Sequence, residues 1–300
     1  MRSSTSKPKP PGSQAKPPTP APPTLSGAEP IAKAAWDNST QALARNTLVA
    51  GSQQLGLALS DAQIDALMAY LGLLHKWSKV YNLTAVRDPL EMVTLHLLDS
   101  LAVIPALLRH LATPHNATER AALAGQSTST STSTSPSPSP GPVSASLAAA
   151  SAGKPAQVRP IRLLDVGSGA GLPGVVIAIA CPHIQVTCID AVSKKAAFVQ
   201  QVAASLGLAH LRGLHQRIEQ LDAPHDLVCS RAFAALADFV QGSAKALAAG
   251  GVWLALKGKT PTEELSALGR EVDVFHVEQL KVPGLDAQRC LVWMRPSAAP

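Results

Sequence analysis

Apolar residues recur along this chain at two different periods, and the change between them divides it. Ile64, Leu67, Met68, Leu71, Leu74, Trp77 and Tyr81 follow one another at steps of three and four, the stripe of an amphipathic helix. Ser60 stands before it as the predicted N-cap. Pro89 opens a second helix in which Met92, Val93, Leu97, Leu98 and Leu101 are apolar, and His96 and Asp99, three apart, share a face. From residue 159 the period shortens. Ile161–Val166, Gln185–Ile189, Leu211–Leu214, Leu227–Cys229 and Val252–Leu256 read as strands, with Val272–Val277 and Leu291–Met294 as a closing hairpin pair. Helices are predicted at Pro173–Ala180, from a capping Ser193 to Leu206, and at about Leu236–Ala248, where Gly250-Gly251 would end it. Strand–helix alternation of this kind specifies an α/β, mainly parallel, doubly wound sheet. Its ligands bind beyond the carboxyl ends of the strands.

Two tracts have no such pattern. Residues 1–36 are rich in Pro, Ser and Lys, and residues 111–158 contain an alternating Ser/Thr run followed by Ser-Pro repeats. Neither holds enough apolar surface to offset its ordering entropy, so both read as disordered. The chain thus divides into an extension (1–36), a helical region (37–110), an inserted linker (111–158) and an α/β domain (159–300). A hydrophobic fraction of 46% supplies a core. No uninterrupted apolar run reaches the roughly 18 residues of a membrane span, and the first residues lack the apolar h-region of a secretory signal, so none is expected. A soluble cytoplasmic protein without a membrane partner is expected.

Net charge and cysteines change this picture little. The formal charge is +6, but residues 1–36 hold five bases against one acid, and residues 159–300 hold fourteen against twelve. The excess sits in the tail, so charge alone does not argue for a nucleic-acid partner. Cys181, Cys188, Cys229 and Cys290 show no C-x-x-C pairing and lie in or beside apolar runs. They read as reduced core thiols, and no metal site is expected.

Candidate chemistry concentrates after the first strand, in Asp165-Val166-Gly167-Ser168-Gly169-Ala170-Gly171-Leu172-Pro173-Gly174. A dinucleotide fingerprint spaces its glycines G-x-G-x-x-G. Here they run G-x-G-x-G, with Leu172 at the place of the third dinucleotide glycine. An acid two residues before the first glycine resembles motif I of the S-adenosylmethionine methyltransferases. That cofactor carries sulfonium and ammonium cations, which an acid beside the loop suits. Asp190, at the end of the second strand, is placed to accept ribose hydroxyls, or else to act as a helix N-cap. Ile218-Glu219, after the third, can present backbone and an apolar side chain to an adenine ring, although Glu219 also reads as a plain surface acid. After the fourth strand stands Cys229-Ser230-Arg231-Ala232-Phe233 in place of the Asn/Asp-Pro-Pro-aromatic motif of amine methylation. Cys229 lacks an adjacent base and reads better as a buried thiol than as a nucleophile.

Several collinear motifs make a family resemblance. They are His75-Lys76-Trp77-Ser78-Lys79-Val80-Tyr81-Asn82-Leu83-Thr84, His96-Leu97-Leu98-Asp99-Ser100, Gly167–Gly174, Lys194-Lys195-Ala196-Ala197-Phe198, Ser230-Arg231-Ala232-Phe233 and Ala255-Leu256-Lys257-Gly258-Lys259. Together they resemble the glucose-inhibited division protein B (GidB) family, also called RsmG, the bacterial small-subunit rRNA guanine-N7 methyltransferases. The likeness covers about residues 55–110 and 160–295. It implies a Rossmann-like class I methyltransferase fold with an N-terminal helical extension, S-adenosyl-L-methionine as cofactor, and 16S rRNA or the small ribosomal subunit as partner. A monomer is the expected state. The implied cofactor contacts are Gly167, Leu172, Asp190, Ile218, Glu219 and Arg231. Asn82, His96, Arg231 and Lys257 are the substrate-side candidates, although periodicity alone makes His96 a surface or capping residue. The family usually has a base immediately before the motif histidine, and here that residue is Leu95.

Guanine N7 is an unprotonated acceptor, so its methylation requires orientation rather than a general base. No catalytic acid or base is assigned. A small-molecule methyltransferase sharing the loop and a non-catalytic RNA-binding module are the alternatives. The first would not need the basic residues Lys76 and Lys79.

Overall fold

The computed structural model describes residues 36–113, 159–231, 233 and 235–297. α1 (Asn38–Gln54) starts at Asp37, whose carboxylate accepts the Thr40 amide. α2 (Asp61–Tyr81) starts on the expected Ser60, in a reciprocal box: Ser60 Oγ accepts the Gln63 amide and the Gln63 side chain accepts the Ser60 amide. Its stripe buries Ile64, Leu67, Leu71 and Leu74 but runs out at Tyr81, which is exposed. Asn82 closes α2 in the left-handed region at φ 51°, a conformation its short polar side chain tolerates.

α3 (Pro89–Met92) is capped by Asp88 and runs through a π turn at Val93–Leu98 into α4 (Asp99–Leu101) and then α5 (Ile104–Leu111). Pro89–Leu111 is long and apolar enough, by length and composition, to cross a membrane. However, 72% of its most apolar window is buried inside the fold. It is a core helix. α1 carries no strong stripe in the sequence, because it mixes Asn, Gln, Ser and Thr among its apolar residues.

The second part alternates β1 (Ile161–Val166), α6 (Gly174–Ala180), β2 (Ile184–Asp190), α7 (Ser193–Ser205), β3 (Leu211–His215), β4 (His225–Arg231), α8 (Leu236–Ser243), β5 (Leu247–Lys257), α9 (Thr262–Ser266), β6 (Val272–Leu280) and β7 (Arg289–Pro296). The strands form one seven-stranded sheet ordered β3-β2-β1-β4-β5-β7-β6, in which β7 alone runs antiparallel to its neighbours. This is the mainly parallel, doubly wound sheet expected. Alternate residues face opposite cores: Leu163, Val186 and Leu254 pack with the N-terminal helices, whereas Leu164, Ile189 and Trp253 pack with α8. Strand order reverses between β1 and β4, and the crevice at that switch point is where ligands of such sheets bind.

Two local expectations fail for identifiable reasons. The helix expected to reach Ala248 ends at Ser243; a 3₁₀ turn follows, and Leu247 already begins β5. Gly250-Gly251 therefore lie inside a strand, where β4 and β5 shift register. A Cβ at Gly251 would meet the Ala248 and His225 carbonyls at 2.9 and 3.1 Å, so close backbone approach, not helix termination, accounts for this glycine. Ser193 is not the cap of α7. Val192 holds that place, and Asp190 Oδ1 accepts the Val192 amide instead. The predicted extension and linker lie outside the described residues, except at their edges. Trp36 packs over Gly72 and stacks on His75, and Leu111 is the last residue of α5.

α2 is fastened to the sheet domain at two points. Gln63 Nε2 donates to the Ile179 and Ala180 carbonyls at the end of α6. Tyr70, fully buried, donates its hydroxyl to the Ala170 carbonyl at 2.8 Å. Ala170 lies in the glycine loop, so the helical region directly shapes it. Tyr70→Phe leaves that buried carbonyl unpaired, at a cost of about 1–3 kcal/mol. The expected result is a lower Tm together with weaker cofactor binding, read by thermal melts and calorimetry on the same preparation.

Candidate cofactor and acceptor site

β1 delivers the glycine loop to the switch point. Gly167, Gly169 and Gly171 all adopt positive φ, at 65°, 59° and 87°, which only glycine takes without strain. The loop amides are turned toward protein: those of Gly167 and Ser168 donate to the Ile189 carbonyl, that of Gly169 to Asp190 Oδ2, and those of Gly171 and Leu172 to the Ser168 carbonyl. A phosphate cradle needs such amides free. This loop instead offers bare Cα faces, since a Cβ at Gly167 or Gly169 would meet nothing within 4 Å.

The polar groups beneath the loop suit a cation. Asp165 is completely buried; Oδ2 accepts the Gly174 amide at 2.8 Å, and Oδ1 has no hydrogen-bond partner among the described residues. Ser168 Oγ is buried and unpartnered in the same way. Burial raises the Asp165 pKa to about 7; the Gly174 amide and Arg231 pull it down and Asp190 pushes it up. An unsatisfied, desolvated carboxyl beside a bare glycine face fits a nucleoside ligand carrying positive charge, as S-adenosylmethionine does, better than a pyrophosphate.

The other predicted cofactor contacts differ in how much they leave free. Asp190 is buried and uses its carboxylate on the Gly169 and Val192 amides, with Lys195 Nζ at 3.6 Å. Asp190 is not the N-cap of α7, a place that Val192 holds, and each of its carboxylate oxygens can accept a further bond. The Leu172 side chain packs in the core. Ile218 sits in a 3₁₀ turn with its side chain in the second core, while Glu219 is exposed.

Arg231, at the end of β4, lines a cavity of about 420 Å³ together with Leu95, His96, Asp99, Lys257 and Arg289 among others. Arg231 Nη1 donates to the Leu95 carbonyl at 3.2 Å and to Asp99 Oδ2 at 3.1 Å. His96 is buried, contrary to the surface or capping place its periodicity predicts, because the π turn shifts it inward. Its Nε2 lies 2.8 Å from Thr84 Oγ1, and its Nδ1 has no partner among the described residues. Burial, reinforced by Arg231, pushes its pKa down to about 4.

Three of the four substrate-side candidates meet in this cavity, and Asn82 does not line it. Asn82 Oδ1 accepts from Arg87 Nη2 at the end of α2. Lys257 lines the cavity, but its Nζ is held by the Phe233 carbonyl and by both oxygens of Glu264. Sequence reasoning missed Glu264, Tyr70, Asp99 and Arg289. Of these only Asp99 carried a signal, its shared helix face with His96. All four cysteines are free and buried. Burial drives the Cys229 thiol well above its ordinary pKa, which disfavours the thiolate.

A family model described as rRNA small subunit methyltransferase G matches residues 63–112 and 143–292. Proteins named ribosomal RNA small subunit methyltransferase G are close in sequence. That of Acidovorax sp. (strain JS42) is 53% identical over 83% of this chain and 93% of its own length. That of Polaromonas naphthalenivorans (strain CJ2) is 50% identical over 86% and 98%. Among solved structures, a SAM-dependent methyltransferase from Geobacter sulfurreducens in complex with S-adenosyl-L-homocysteine aligns with a TM-score of 0.37 and 16% identity, over 46% of this chain and 85% of that one. With half its length or more under one family model and half its residues shared with these relatives, the chain belongs to the rRNA small subunit methyltransferase G family.

Proposed function

We propose that this protein transfers a methyl group from S-adenosylmethionine to N7 of a guanine in small-subunit (16S) rRNA, acting in the cytoplasm on the rRNA or the subunit. Family membership supports the rRNA substrate and the methyl transfer. The observation that carries the choice of N7 is that, among the described residues, the cavity holds no free general base. Asp99 is engaged by two arginines. His96, with its pKa near 4, is too weak a base to deprotonate an acceptor at neutral pH. An atom that already presents a lone pair needs neither.

The chain's own residues then bind and orient. The bare faces of Gly167 and Gly169, the neighbouring Leu172, the Asp190 carboxylate, the Ile218-Glu219 turn and Arg231 hold the cofactor, and the buried Asp165 carboxylate faces its positive charge. When bound, S-adenosylmethionine supplies a methyl carbon on a sulfonium sulfur, open to in-line displacement by a ring nitrogen. Leu95, His96 and Arg231 shape the wall that aims the base at the loop. Fixing that alignment is worth several powers of ten in rate without any proton transfer.

Nucleoside mass spectrometry of small-subunit rRNA from strains with and without the gene tests this reading. Loss of 7-methylguanosine on deletion, restored by the wild-type gene, is expected. Unchanged 7-methylguanosine would remove the N7 assignment. Label from the cofactor appearing only in a small metabolite would replace the rRNA substrate altogether.

A further inference from the structure

N7 is exposed on adenine as well as on guanine, so a site built only to present N7 would not choose between the purines. The choice falls on position 6, an oxygen acceptor in guanine and an amino donor in adenine. Resting on the N7 reading above, we propose that Asp99 is a positioning residue that locks Arg231 and Arg289 into a donor-only edge, which selects guanine through its position-6 oxygen.

Asp99 is buried, 5% exposed, at the start of α4. Its Oδ1 accepts from Arg289 Nε at 2.6 Å and its Oδ2 from Arg231 Nη1 at 3.1 Å. One carboxylate thus spaces two guanidiniums that arrive from the ends of separate strands, β4 and β7. Arg289 Nη1 is tied to the Gln288 carbonyl and Arg231 Nη1 also to that of Leu95. Neither Nη2 has a hydrogen-bond partner among the described residues. Guanidinium carries donors and no acceptor.

The charges around the cavity reinforce this edge. Among the described residues Asp99 is the only acid in its lining, and two cations share it, so one positive charge is left over. Lys257 is neutralised by Glu264, which leaves the arginines as the groups that face a base. Against them a guanine O6 is satisfied, whereas an adenine amino group meets donors with donors and leaves buried groups unpaired.

The test uses the full-length protein and an RNA fragment carrying the mapped acceptor position as guanosine, inosine or 2-aminopurine riboside. Inosine keeps the position-6 oxygen and 2-aminopurine lacks it, while all three keep N7. Label transfer from S-adenosylmethionine gives kcat/KM for each, and calorimetry gives the cofactor Kd. The wild type is expected to accept guanosine and inosine and to disfavour 2-aminopurine by about ten- to hundredfold. In Asp99→Asn that ratio, read at saturating cofactor because Arg231 also serves the cofactor, falls at least tenfold, and Asp99→Glu restores part of it. Arg289→Lys, which keeps charge but not the planar fork, gives the same loss of ratio if Asp99→Asn does not fold. A variant that is slower on guanosine yet keeps the wild-type ratio overturns the inference and leaves the N7 reading intact. A wild type that methylates none of these RNAs, whether free or assembled into the small subunit, overturns both.

Discussion

Gly169→Ala is expected to weaken S-adenosylmethionine binding at least tenfold in a protein that remains folded. The new Cβ meets no protein atom within 4 Å, so the fold bears only the left-handed backbone penalty, about 1–2 kcal/mol. That is a fraction of the roughly 5–15 kcal/mol that stabilises a domain. The same Cβ occupies the open face where the cofactor is proposed to lie. Gly171→Ala serves as the contrast. Its Cβ would collide with Val175 Cγ2 and stand 3.1 Å from Val199 Cγ2, so its damage appears as a large drop in Tm before any binding is measured. Titration calorimetry and thermal melts on both variants separate the two effects. Wild-type affinity in folded Gly169→Ala would mean that the cofactor does not lie against this loop.

The strands and the loop were legible because each is a local pattern. A period of two with Leu163 and Leu164 facing opposite cores, and a spacing of glycines that fixes positive φ, are written in consecutive residues. What sequence reasoning missed depends on partners distant along the chain. Tyr70 reads as one more member of a helix stripe, and only the fold brings its hydroxyl to Ala170, 100 residues later. Arg289 and Asp99 are separated by 190 residues, and nothing near either announces the other. His96 was misplaced by periodicity because a π turn changes the angle per residue, and no 3.6-residue template registers it. Lys257 stands in a motif of the resemblance, but its neutralising partner sits on α9, a five-residue helix too short to show a period.

Cofactor affinity is expected to rise with pH up to about 7 and then level off. Asp165 in the folded protein titrates near 7, raised from 3.8 chiefly by burial. Between these values the folded state holds a proton that the unfolded chain has released. The stability of the ligand-free protein therefore falls as pH rises from about 4 to 7. A cationic ligand reverses the preference, since it favours the carboxylate and so expels that proton on binding. Below the folded pKa, each unit of pH then weakens binding by up to tenfold. The neighbours do not reproduce this slope: His96, near 4, is already neutral above pH 5, and the Cys188 and Cys229 thiols are driven upward by burial and stay protonated. Calorimetry between pH 5.5 and 8, in buffers of different ionisation enthalpy, reads both the slope and the proton released. Asp165→Asn, which cannot ionise, is expected to bind weakly and with no dependence on pH in that range. A wild type whose affinity is flat there, with no proton released, would show that the Asp165 carboxyl does not face the cofactor's charge.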